Sequence, residues 1–562
     1  MKKIYRLFSF IALAGTFSLT SCIEETIPTN LATEEQMQSS SKASEALAWA
    51  MPAFLNHYGT YSGDYAYDWG YGSVMHIRDV MTGDMAVVSS GYNWYSSWSQ
   101  NSYLGPRYVS TYFLWAYHNR AIQTANNTIG QLKGSTDKDM MGYLATGYAY
   151  RAFFYLDVAR MYEFLPNDVY GVDYTTDEGN EIAYLTVPIV TEETSEEDCQ
   201  NNPRVTHEEM AEFILSDLEA ADSLMNETEF EPVSKTLPSL ACVYGLKARL
   251  HMWNAGYYEE IGNQEKADEE YYQAWNDANT AIQIGGKDLR PMTEEEWLDT
   301  KTGFNDMSNK AWMWASSAST DDDVVQSGIL NWTSWMSNEA TFGYAAAGPY
   351  IMIASELYSK ISSKDFRKLS FKAPASTSLE GKEPLVISNE NDKNYMYSSL
   401  PEYASFKFRP GSGDVEEYKV GAACDYPLMR VEEMYLIAAE AAAHLSPDAG
   451  KTELVNFMKN YRNSSYSTSA SGKDAIIAEI ILQKRIELWG EGQLFFDYKR
   501  LNMSVDRTMS TNWDDTERFK TNGRPEWMNL CITDQEDDNN KGVKGYSNPD
   551  PSGSYKPIPA KK

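Results

Sequence analysis

Cysteine is scarce in this chain, at five in 562 residues, and no two lie in a C-x-x-C spacing. That excludes zinc-ribbon, zinc-finger and thioredoxin patterns. Cys199, Cys242, Cys424 and Cys531 are far apart and read as buried thiols, with a disulfide left open. Histidine is nearly as rare, at six. His207-Glu208-Glu209-Met210-Ala211 opens like a zincin motif and lacks the second ligand. There is no G-x-S-x-G nucleophile elbow, and Gly286-Lys287 stands without the rest of a phosphate loop. No catalytic residue, metal site or cofactor is expected. Positive charge is outweighed: 48 Lys and Arg face 80 Asp and Glu, a net −32 that repels nucleic acid and anionic lipid. Beyond residue 21 no run reaches ~18 apolar residues, so no spanning helix is expected.

What is present in excess is aromatic. Tyr (39) and Trp (15) carry most of a 13% aromatic content. Ten of them fall between Tyr58 and Trp98, separated by Ser, Gly, Asn and Asp rather than aliphatics. Two readings stand open: rings stacked on a polar ligand, or a satellite core under a loop. Val74 to Asp84 is more aliphatic and reads as core, which makes Arg78 and Asp84 structural. A second cluster holds Trp312, Trp314, Trp332, Trp335, Phe342 and Tyr344.

Apolar spacing predicts a mainly α fold. A helix is expected over 43–58. Tyr108 to Tyr162 reads as two long helices broken at Gly134-Ser135, an αα-hairpin. Residues 167–206 read as loop. Thr206 with Glu209 predicts a capping box opening the next helix, and Pro238 opens its partner. Ala267, Tyr271, Ala274, Ala278 and Ala281 resemble the second helix of a tetratricopeptide repeat. Residues 286–425 lose this regularity and read as an irregular inserted subdomain carrying a ligand face. Helical order is expected again from Pro427, then over 451–461 and 474–489. The expected organisation is a signal over 1–21, a tether over 22–42, a repeat-like scaffold over 43–285 with the aromatic loop 58–98, the insertion 286–425, a C-terminal scaffold 426–533 and a polar tail 534–562 that wraps the surface.

Lys2, Lys3 and Arg6 precede a short apolar run ending Leu19-Thr20-Ser21-Cys22, which resembles the bacterial lipoprotein box. Cleavage there would leave Cys22 as the lipid-attachment residue, and its acyl chains suffice for stable anchoring. Ile23-Glu24-Glu25 resembles a surface-export signal of Bacteroidetes lipoproteins. Asp537 to Gly542 resembles part of an EF-hand loop, with Lys541 at a ligand position and no terminal Glu. At the C-terminal end, Tyr426 to Ala441 and Ile480 to Gly492, with Asp497, Lys499 and Arg500, resemble the two hallmark segments of the SusD/RagB family. Asn119 and Asn126 and the repeat-like hairpins extend the resemblance over most of the chain. The many charges of those segments, Arg430, Glu432, Glu433, Glu440, Arg485, Glu487, Glu491 and Arg500, are expected to pair as an ion-pair lattice, because buried charges are rarely left single.

The resemblance implies a lipid-anchored, surface-exposed outer-membrane protein. It would capture a glycan and pass it to a SusC-like TonB-dependent transporter, with no enzymatic step and no cofactor. A RagB-like peptide carrier is the closest alternative. A surface glycoside hydrolase, which would need two carboxylates across a sugar, is the more distant one. The residues expected to touch ligand are Trp94, Tyr95 and Trp98, with Tyr67 and Trp69 nearby, Asn101 and Arg107 as hydrogen-bonding groups, and Trp332 and Trp335 from the insertion.

Overall fold

A computed structural model describes residues 41–59 and 65–561 of the chain. The expected signal 1–21, Cys22, the acidic pair behind it and the tether up to residue 40 lie outside the described residues.

Helices fall where apolar spacing places them at α1 (Ser41–Leu55), while α2 (Tyr71–Val80) is a helix where only a core segment is expected; α3 (Val109–Leu132), α4 (Lys138–Tyr162), α5 (His207–Thr228), α6 (Leu240–Glu260) and α7 (Gln264–Gly285) again follow the spacing. After the insertion come α8 (Val431–Leu445), α9 (Pro447–Tyr461), α10 (Lys473–Glu487) and α11 (Leu494–Arg500). The Thr206 capping box is present, its hydroxyl accepting from the Glu209 amide and the Glu209 carboxylate accepting from the Thr206 amide. Ala267, Tyr271, Ala274, Ala278 and Ala281 are all fully buried. Small residues on that stripe let α7 lie close against α6 and α8. Each helix packs on the next: α3 on α4, α4 on α5, α5 on α6, α6 on α7, α7 on α8, and α8 on α9 and α10. The stack therefore continues in space across the 286–425 interruption in sequence, and the fold is mainly α.

Two short antiparallel ribbons stitch the insertion to this stack. β1 (Met85–Val87) pairs with β3 (Ile351–Ile353), and β2 (Trp312–Ser317) pairs with β4 (Asp425–Arg430). The last ribbon corrects the expected helix start at Pro427. That proline sits in β4 opposite Ala315, whose amide instead donates to the Lys235 carbonyl. A two-stranded ribbon tolerates a proline because both strands are edges, and the helix begins at Val431. One continuous hydrophobic core runs from Ala48 to Ile532 and takes in Trp297, Trp312, Trp332 and Phe408. Insertion and scaffold share it.

The expected lattice is there. Arg367, Lys407, Arg430 and Arg462 face Asp365, Glu432, Glu487 and Glu491 in a buried, charge-balanced network. Burial alone would raise the Glu487 carboxyl, but the guanidiniums of Arg462, Arg367 and Arg430 outweigh it and hold it below the usual carboxylate range. Arg249 pairs with Glu433, and Arg500 and Lys484 share Glu440. Arg485 pairs with Asp84 at 2.5 Å, tying α10 to the turn before β1. Arg78 pairs with Asp157 at 2.5 Å, both buried. Gly492 in the second hallmark has φ +67°, and a Cβ there would meet the Met75 backbone at 2.8 Å. Only glycine fits both conditions.

The four described cysteines are free thiols. His207 is a buried structural group: its Nδ1 lies 2.7 Å from Glu163 Oε1, and its ring stacks on Tyr257. The Asp537 segment is a helix over Asp534–Asn539, with Asp537 accepting the Gly545 amide at 3.1 Å. Beyond it the tail is docked: Asn548 is buried and donates to the carbonyls of Tyr162 and Leu530, each at 2.8 Å.

Candidate functional site

The fold brings the two aromatic stretches together, but most of their rings turn inward. Trp69 donates its indole N–H to the Tyr95 hydroxyl at 2.7 Å. Tyr67 meets Trp98 edge-on with centroids 5.0 Å apart. Tyr95 meets Trp335 edge-on at 4.8 Å, and Trp69 meets Trp332 at 6.3 Å. His76 lies against Tyr95 at 4.4 Å. Edge-to-face pairs of this kind contribute roughly 0.5–1.5 kcal/mol each beyond their burial. Burial pushes His76 down to about 3 and the Tyr95 phenol up, so both stay neutral.

This corrects six expected ligand residues. Tyr67, Trp69, Tyr95, Trp98, Trp332 and Trp335 are all buried, Tyr95 at 0% exposure and Trp335 at 4%. Their faces are covered by one another, so they form a bed rather than a surface. Asn101 is also inward: it is buried, and its amide donates to the Pro551 carbonyl at 2.9 Å. Arg107 is exposed and reaches Asp534 at 2.8 Å. Trp94 alone among the expected rings is exposed, at 43%.

A tight turn decides which ring goes where. The Trp94 amide donates to the Tyr92 carbonyl at 3.0 Å, and the Tyr95 amide donates to Asn93 Oδ1 at 3.1 Å. Tyr92, 57% exposed, and Trp94 then face solvent while Tyr95 goes into the bed. Further along the same segment Asn101 and Tyr103 adopt positive φ, at 50° and 58°. Tyr103 and Tyr108 emerge exposed there, edge to face at 5.2 Å. Tyr344, half-buried, stacks on Trp335 with centroids 4.0 Å apart. Tyr92, Tyr103 and Tyr108 were missed as ligand candidates. No local signal marks them, since Tyr103 is followed by Leu104 and Tyr108 by Val109, as an inward ring could be.

The segment between β1 and α3 thus presents four exposed Tyr and Trp rings, with Ser, Asn and Gln between them, on the same stretch of chain that sends Tyr95 and Trp98 into the buried cluster. Such a surface can cover the C–H face of a sugar ring while its polar neighbours bond the hydroxyl rim. Tyr and Trp do so at low entropic cost, having two χ angles each.

Two family models match the chain. The SusD family model matches residues 301–562, and a second, described as "Starch-binding associating with outer membrane", matches residues 20–252. A SusD-like protein of Formosa agariphila is 23% identical over 427 residues, covering 72% of this chain and 75% of its own. Among solved structures, a SusD-like carbohydrate binding protein from Bacteroides vulgatus superposes with a TM-score of 0.66 at 21% identity, covering 90% of this chain and 97% of the other. Surface glycan-binding protein A from Bacteroides thetaiotaomicron, in complex with laminarihexaose, superposes with a TM-score of 0.59 at 16% identity, covering 90% and 99%. With hallmark segments, lattice and helical stack all in place, the chain belongs to the SusD family.

Proposed function

We propose that this protein captures a glycan at the cell surface and hands it to a TonB-dependent, SusC-like barrel, held at the outer membrane by lipid on Cys22. The observation that carries the reading is the exposure of Tyr92, Trp94, Tyr103 and Tyr108 along one segment, whose Tyr95 and Trp98 are buried. The relatives that bind carbohydrate, one with laminarihexaose, support it. The role needs capture and release without bond cleavage. A shallow stacking surface suits that better than a deep enclosed pocket, because cargo must leave again.

The test is a glycan array that includes laminarihexaose, with neutral peptides as comparison. Retention of one or more oligosaccharides, without new reducing ends, is the expected result. Retention of peptides alone would replace the reading with a peptide carrier. Steady release of reducing ends that stops on mutating a single carboxylate would make the protein a hydrolase. For delivery, co-purification of a barrel protein with the lipidated chain is expected, and its loss in Cys22→Ala tests the anchor.

A further inference from the structure

A second polar surface lies outside the aromatic segment. One face of α3 forms one wall of an open groove of about 820 Å³. The segment 187–202 and the helix Asp534–Asn539 form the facing wall. Tyr112 and Trp115 lie at one end of it. The walls are cross-braced. Asn126 donates to the Val190 carbonyl at 2.9 Å and accepts from Arg151. Asn202 and Asn540 exchange hydrogen bonds at 2.8 and 2.7 Å. Trp115 donates to Glu536. The groove is therefore pre-formed, which lowers the ordering cost of a ligand.

Two of its carboxylates are engaged: Glu192 pairs with Lys133 and Arg151, and Glu536 accepts from Trp115 and Asn540. Arg120 and Glu196 also line the groove, and beside them stands a row of neutral amides. Asn119, Gln123, Asn127 and Gln131 line the groove at strict i, i+4 spacing along α3. Asn119 uses its N–H₂ on the Trp115 carbonyl, while no described protein group holds the amides of Gln123, Asn127 and Gln131. Successive amides are then ~6 Å apart along the helix, close to the advance of one sugar unit in an extended chain. An amide both donates and accepts, as does a hydroxyl. A peptide in a groove draws specificity from side-chain pockets, and this wall is a row of amides.

From this we infer that the α3 groove is a second carbohydrate site, binding a neutral oligosaccharide whose hydroxyls run along the Gln123–Asn127–Gln131 ladder. The inference rests on the glycan reading above. Two sites on one chain would hold a polysaccharide at separated points, so that a long cargo is retained while each contact stays weak.

The groove contains its own reporter. Cys199 lines it and is half-buried, whereas Cys242, Cys424 and Cys531 are buried. The experiment measures iodoacetamide alkylation of Cys199 in the full chain by peptide mass spectrometry, with and without saturating neutral hexasaccharides from the array, laminarihexaose among them. A bound hexasaccharide is expected to slow Cys199 severalfold. The triple variant Gln123→Ala, Asn127→Ala, Gln131→Ala should lose that protection and bind about tenfold more weakly, with unchanged melting because Gln123 and Asn127 are exposed and Gln131 is only half-buried. Trp94→Ala should keep the protection. If hexasaccharides bind the chain but leave Cys199 alkylation unchanged, the groove site is wrong and surface capture stands. If neutral peptides protect Cys199 and sugars do not, the groove binds peptide and the inference is wrong. If no sugar binds the chain at all, both readings fall.

Discussion

At the residue scale, the deciding variable is which way a ring points. Tyr95 and Trp94 are neighbours in sequence with opposite fates, one buried completely and the other 43% exposed. Mutation should separate them. Trp335→Ala removes a ring that Tyr95 and Tyr344 both pack against. It should cost about 3–5 kcal/mol of stability in denaturant unfolding, the usual range for a buried aromatic truncated to alanine. A change under about 1 kcal/mol would mean the bed is not a core. His76 gives a pH signature at the same place. Its folded value is near 3 against an ordinary 6.5, and His118 is similarly pushed down to about 4 by burial. Between those values and 6.5 the unfolded chain binds protons that the folded chain does not. Stability is therefore lost as pH falls through this window, by up to about 1.4 kcal/mol per pH unit for each histidine. Unfolding measured at pH 7 and pH 5 should show that drop, and His76→Phe should shrink it; an unchanged drop would place the acid sensitivity elsewhere.

At the scale of elements, periodicity carried most of the information. The alanine and tyrosine stripe of α7 and the capping box of α5 were legible because each rests on local spacing. The strands were not. Trp312-Met313-Trp314-Ala315 is buried on both faces, so it shows no alternation. Pro427 carries a helix-start signal that holds only if no strand is there to pair it, and β2 supplies one from more than a hundred residues away. The lattice was legible as a need for partners, since many charges lay on helices that had to pack. Which partner each found was not, because Asp365, Arg367 and Lys407 come from the irregular insertion. Glu487 is the centre of that network, touched by Arg367, Arg430 and Arg462. Glu487→Ala leaves three buried guanidiniums short of a counter-charge and should destabilise by roughly 3–5 kcal/mol. Near-wild-type melting of that variant would mean that water reaches the lattice.

For the whole molecule, the mainly α stack, the insertion and the hallmark segments form one core that serves as a base for loops. The candidate site is only half legible in sequence for a physical reason. Composition marked the Tyr58–Trp98 region as unusual, but a Tyr that lines a bed and a Tyr that crowns it have the same neighbours in sequence. Ring direction depends on the Asn93 turn and on Trp335 arriving from the insertion. Hence two contiguous aromatic stretches built both the support and the surface. The central claim is that the crown, rather than the bed, holds glycan. The measurement that tests it most directly is calorimetric binding of the best-retained array glycan to the wild-type chain and to Tyr92→Ala, Trp94→Ala. Two lost stacking contacts should weaken binding about tenfold or more with an unchanged melting temperature. Binding equal to wild type in that double variant would contradict it.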